Sequence, residues 1–187
     1  MRRCIVILFL LVLNSCKRPA TENPKKTNES EFITSLKLHL RKESENQFSK
    51  VLYFKDLDGQ GGNDPIIFTD ELEANTVYYG RIELLDESRL PTVDVTKEII
   101  DEKNEHQFFY NVFPPDFVEI NYQTHDIDDY GVPFGLEPKI KTKSKGNFNL
   151  EITLKHQTNS TKPRSGLGDP SIGATDIQVV FENICVK

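Results

Sequence analysis

The chain has 187 residues, with 29 acidic side chains against 23 Lys and Arg, a formal net charge of −6, three cysteines and no Trp. This acidic balance excludes nucleic acid and anionic lipid as partners held by charge, because both require clustered Lys and Arg. In chain order, the first feature is Met1-Arg2-Arg3, followed through Cys4 by an unbroken apolar run from Ile5 to Leu13 and then by Asn14-Ser15-Cys16. A basic start, a short apolar stretch and a small residue form the layout of a secretory signal. The run is about half of the roughly 20 residues that a bilayer-crossing helix needs, so residues 1–15 are expected to be removed rather than to span.

Leu13-Asn14-Ser15-Cys16 resembles the lipobox of bacterial lipoproteins, where an aliphatic and a small residue lead into an obligatory cysteine. The resemblance implies cleavage before Cys16, a diacylglycerol on its sulfur and a further acyl chain on its freed amino group. Each chain adds about 0.8 kcal/mol of membrane affinity per buried CH₂, and two or more make a stable anchor. Loss of Arg2 and Arg3 takes the mature charge from −6 to −8. Lys17 follows the cysteine where inner-membrane lipoproteins of many Gram-negative bacteria carry Asp, and Lys17-Arg18-Pro19 lacks the acidic cluster that some lineages use for surface export. By resemblance, the expected location is the outer membrane, on its periplasmic face.

Residues 16–30 comprise the lipidation site and a polar stretch, Lys17 to Ser30, with two prolines and no large apolar side chain. Such a composition cannot bury enough surface to offset ordering, which predicts a flexible tether. Cys185 is the one cysteine left as a thiol in a domain of residues 31–187. Its place within Val180 to Val186 predicts a small buried hydrophobe, and the domain must be held by its core without disulfides.

From residue 31 onward period-two alternation dominates, the mark of half-buried strands. Phe32, Thr34, Leu36, Leu38 and Leu40 alternate with Ile33, Ser35, Lys37 and His39. Phe148, Leu150, Ile152 and Leu154 alternate with polar residues without interruption. Further runs at Val51 to Lys55, Pro65 to Thr69, Val77 to Leu85, His106 to Phe113, Phe117 to Gln123 and Thr175 to Val186 predict about eight strands. Asp94 to Lys103 is the one expected helix. With connections rich in Gly, Pro, Asn and Asp, the expected architecture is all-β, an antiparallel β-sandwich.

Leu72, Thr76 and Tyr78, followed by Gly80, Ile82 and Leu84 at alternate positions, resemble the tyrosine corner of fibronectin type III and related immunoglobulin-like sandwiches. There a Tyr hydroxyl bonds back to the backbone near the start of the turn. Ala74 and Asn75 stand where Pro and Gly are frequent. The likeness covers about 20 residues and implies an immunoglobulin-like sandwich with additional strands.

Two acidic loops are candidates for calcium, because alternating carboxylates followed by Gly can wrap oxygen ligands around the ion. The first contains Asp56 and Asp58 ahead of Gly59, but its twelfth residue is Ile67, where an EF-hand needs Glu. The second runs Asp126-Ile127-Asp128-Asp129-Tyr130-Gly131 and reaches Glu137 at the twelfth place. Asp and Gly also collect in ordinary turns, which is the competing reading. The histidines, His39, His106, His125 and His156, form no i, i+4 pair and no His-Glu-x-x-His run, so solvated or turn-bonded roles are expected. No nucleophile elbow and no phosphate-binding glycine loop is present. Phe108-Phe109-Tyr110 must place neighbours on opposite faces of a strand, leaving either a second core layer or an exposed patch.

In layout the chain is similar to small lipoproteins of Gram-negative envelopes: signal, lipidated cysteine, polar tether, one sandwich. That implies a non-enzymatic module binding an envelope protein or ligand through loops or an edge strand. The alternatives are a calcium- or ligand-binding surface protein using the acidic loops, and an envelope hydrolase with a carboxylate or histidine site.

Overall fold

The computed structural model describes residues 32–59, 61–158 and 161–187. The expected signal, Cys16 and the tether lie outside the described residues. The elements in order are β1 (Ser35–Lys42), β2 (Lys50–Lys55), β3 (Ile66–Thr69), β4 (Val77–Asp86), β5 (Val93–Asp94), α1 (Thr96–Asp101), β6 (His106–Phe113), β7 (Val118–Asn121), β8 (Lys139–Thr142), β9 (Gly146–His156) and β10 (Ala174–Val186). The fold is an all-β antiparallel sandwich. One sheet runs β3-β2-β1-β4-β8-β7 with β5 paired to the end of β4; the other runs β10-β9-β6.

Alternation produces the two layers. Leu36, Leu38 and Leu40 from β1 and Ile82 and Leu84 from β4 face Phe148, Leu150, Ile152 and Leu154 from β9, all at 2% exposure or less. Each such side chain contributes about 1.5–3 kcal/mol by leaving water. On β10 the inward set changes phase, from Ile177, Val179 and Phe181 to Ile184 and Val186. A strand can change phase only by inserting a residue, and the register slips between Phe181 and Ile184. Asn183 takes a left-handed φ of 55° there, and its N–H donates to Asn149 Oδ1 at 2.9 Å.

Phe32 departs from its expected inward place: it lies ahead of β1 and is 57% exposed. Two strands were not foreseen. β8 reads Lys-Ile-Lys-Thr, with one apolar side chain, and β5 has two residues; neither presents enough alternation to register. Strand order β4-β1-β2-β3 is a Greek key, a fourth strand returning beside the first. The division into seven and three strands differs from the four and three of a constant-type immunoglobulin domain.

The return from β3 to β4 ties the layers together. Leu72 N–H donates to Cys185 O and Lys187 N–H to Leu72 O, both at 2.8 Å, so the segment pairs with the end of β10 while the buried Leu72 plugs the core. The fully buried Tyr78 turns its hydroxyl back to accept from Glu73 N–H at 2.9 Å. Thr76 donates to Ala74 O at 3.0 Å, and the Thr142 hydroxyl donates to Glu73 O at 2.6 Å. Leu72, Thr76 and Tyr78 thereby close the turn from three directions, and β8 is locked against it.

Candidate functional site

The acidic residues singled out in the sequence bond within their own loops or to neighbouring side chains. Asp56 Oδ1 accepts from the N–H groups of Asp58 and Gly59 at 3.3 and 2.9 Å. Asp58 Oδ2 accepts from Asn63 N–H and Nδ2, and the first of these holds the Asp58 carboxyl below its usual range. In the second loop, Asp126 Oδ2 accepts from Glu137 N–H at 2.7 Å, while burial raises the Asp126 pKa. Asp128 Oδ1 accepts from Tyr130 and Val132 N–H, both at 2.9 Å. Asp129 pairs with Lys103 at 2.7 Å and with Asn104, which together lower its pKa. Glu137 pairs with His125 at 3.0 Å and Arg81 at 3.7 Å.

A different constellation gathers at one end of the core. His106 and His156 are cross-strand partners on β6 and β9, 0% and 8% exposed, with ring centroids 4.4 Å apart. Asp176 joins them from β10. The register of β10 slips between Thr175 and Ile177, so Asp176 is an inserted residue, and its carboxylate is turned inward to full burial. The ligand atoms of His106, His156 and Asp176 lie within 4.8 Å of one another, the one such group of His, Cys, Asp and Glu among the described residues. None of the acids named above belongs to it. His39 and His125 fit the solvated expectation, pairing at the surface with Glu83 and Glu137. His106 and His156 do not: they extend the inward rows of Phe108 and Leu154 to the strand ends.

Above this cluster the segment 161–173 returns across the sheet. Lys162, 4% exposed, donates from Nζ to the carbonyls of Lys103 and His106 at 2.7 and 2.8 Å and lies 2.9 Å from Asp128 Oδ2. Gln107 and Gln157 hold the strap by donating to Leu167 O at 3.0 Å and Asp169 O at 2.6 Å.

Two features of the described surface bear on binding. The outer face of the three-stranded sheet carries a cavity of about 470 Å³ lined by Phe109, Tyr110, Tyr122, Glu151, Lys155 and Pro170, among others. The run Phe108-Phe109-Tyr110 divides between layers, with Phe108 in the core and Phe109 in this cavity. Burial raises both tyrosine hydroxyls, that of Tyr122 to about 12. The other surface is β3, which among the described residues pairs with β2 alone at the edge of the large sheet. Ile66, Ile67 and Phe68 on it are 62%, 46% and 51% exposed. Asp70 N–H donates to Val51 O, so by alternation Phe68 and Ile66 also face β2, and the peptide groups of Ile67 and Thr69 point to the open side.

No family model, curated protein or solved structure matches the chain. Among the described residues, no helix is long and apolar enough to cross a membrane.

Proposed function

We propose that the chain is an envelope lipoprotein, anchored through Cys16, that acts as a non-enzymatic binding module and captures a polypeptide by adding a strand to β3. The observation that carries this reading is the open edge at Ile66–Thr69, with three consecutive large apolar side chains 46–62% exposed. Sheet edges of this kind invite pairing unless charge, proline or a covering segment blocks them, and here Pro65 and the nearby acids lie outside Ile66–Thr69. Main-chain bonds to Ile67 and Thr69 would supply affinity, and the apolar side chains specificity. Asp64, Asp70 and Glu71 flank the strand, which favours a partner segment that is apolar in its middle and basic at its ends. The lipobox and polar tether support placement at the membrane, with the sandwich held off the bilayer.

The test is a photoreactive residue at position 67 of the full-length chain in intact cells, with a control at Lys97, whose side chain is 81% exposed on α1. A discrete protein adduct is expected from position 67 and not from 97, and Phe68→Lys on the same chain should abolish it. Identical products from both positions, or an adduct that survives Phe68→Lys, would count against the edge.

The cavity on the opposite sheet favours a second reading, a small polar ligand seated on Phe109 between Glu151 and Lys155. Phe109→Ala would then remove ligand binding while leaving the edge adduct intact.

A further inference from the structure

The cluster at the core's end presents an electrostatic problem. Asp176 has a side chain with no exposure, and among the described residues neither of its oxygens has a hydrogen-bond partner. His106 Nε2 stands 3.4 Å from Oδ2 and is likewise without a hydrogen bond. Three polar atoms orphaned at one buried point are costly, and a buried carboxylate most of all. The His106 ring is oriented from behind: Nδ1 lies 3.1 Å from Glu102 O, and a proton donated there leaves the Nε2 lone pair facing Asp176. His156 is oriented similarly by a carboxylate, with Glu105 3.4 Å from its Nε2. A backbone carbonyl behind one imidazole and a carboxylate behind the other are the outer partners that metal-bound histidines use.

We propose that His106, His156 and Asp176 form a buried site for a divalent transition metal of the zinc type, clamping β6, β9 and β10 together beneath the strap 161–173. One ion would neutralise Asp176 and engage His106 Nε2 together with an Asp176 oxygen. Two imidazoles and one carboxylate are a borderline donor set that suits zinc and not calcium, which takes six or more oxygens. Tetrahedral zinc with bonds of about 2.0–2.1 Å places donors roughly 3.4 Å apart, a spacing that the ligand atoms, within 4.8 Å of one another, approach. A water would complete the four donors, and the bound ion would fix the strand ends from which the strap departs; Pro170 of that strap borders the outer-face cavity. The inference does not depend on what β3 binds.

The experiment uses the full-length chain in detergent, stripped with chelator and titrated separately with Zn²⁺, Ca²⁺ and Mg²⁺. Calorimetry should give one Zn²⁺ per chain, the melting temperature should rise with Zn²⁺ alone, and Co²⁺ should give the intense visible absorption of a four-coordinate site. Asp176→Asn and His106→Gln should each lose the stoichiometric binding, whereas His125→Gln, at an exposed histidine, should retain it. The absorption of the wild-type chain with Co²⁺ keeps the proposal testable even where a variant fails to fold. Absence of one-to-one binding in the wild-type chain, a Co²⁺ spectrum of six-coordinate type, or binding lost in His125→Gln but kept in Asp176→Asn would overturn it.

Discussion

Lys162→Met is expected to destabilise the domain by about 3–5 kcal/mol, the cost of leaving one member of a buried ion pair without the other. Lys162 and Asp128 have side chains 1% and 0% exposed and stand 2.9 Å apart. Removing the ammonium strands the Asp128 carboxylate in the interior and also frees two carbonyls, those of Lys103 and His106. Urea denaturation of wild type and variant measures the loss. Adding Asp128→Asn should restore part of it, because an amide oxygen can still accept from Tyr130 and Val132 N–H while the charge is gone.

The same pair has a pH signature. Burial lowers the Lys162 pKa from 10.5, against the upward pull of Asp128. Between the folded value and 10.5 the unfolded chain therefore holds more protons, so the contribution of Lys162 to stability rises with pH across that window and is lost as pH falls through the folded value. The difference between wild type and Lys162→Met should carry this slope. A flat difference would mean that the pull of Asp128 offsets the desolvation of the ammonium.

Phe108→Ala is expected to cost about 3–5 kcal/mol, the usual range for emptying a buried aromatic position. Phe108 is fully buried and packs edge-on against Phe134 with ring centroids 5.8 Å apart. Its backbone is a junction as well: N–H donates to Phe134 O at 2.8 Å, and the carbonyl accepts from the Tyr122 hydroxyl at 3.0 Å. Gly135 passes so close that a Cβ there would stand 2.8 Å from Phe108 O, and its φ of 84° is left-handed besides. The cavity left by Ala thus opens where the three-stranded sheet meets the segment between β7 and β8. Chemical denaturation should show the full loss, whereas Phe109→Ala, on the outer face, should cost much less. Equal losses would mean the two residues do not divide between layers as described.

Much of the fold was legible because side chains in strands alternate, and burial acts on one face. Phe148 to Leu154 and Leu36 to Leu40 announced both layers. Parity also puts His106 and His156 on inward rows, two residues from Phe108 and Leu154, but their scatter along the sequence reads as solvated and hid them. What parity cannot show is a residue that breaks it. Asp176 precedes the inward Ile177 and reads as outward-facing; only the inserted residue in β10 turns it inside. Asp128 stands in a loop with the local spacing of a calcium site, and nothing local shows that one of its oxygens lies beside Lys162, 34 positions away. Such pairings are set by how layers close, a property no local pattern carries. The open edge at β3 was likewise invisible, since Ile-Ile-Phe-Thr reads equally well as a central strand.

Strand addition at β3 is tested most directly by amide hydrogen exchange at Ile67 and Thr69, comparing the purified full-length chain with the chain isolated in its native membranes. On the free edge both amides are open to solvent and should exchange quickly in the purified protein. In membranes that contain the partner they should become strongly protected, while Phe68 and Ile66, already bonded to β2, change little. Unchanged fast exchange at Ile67 and Thr69 in the membranes would contradict the account.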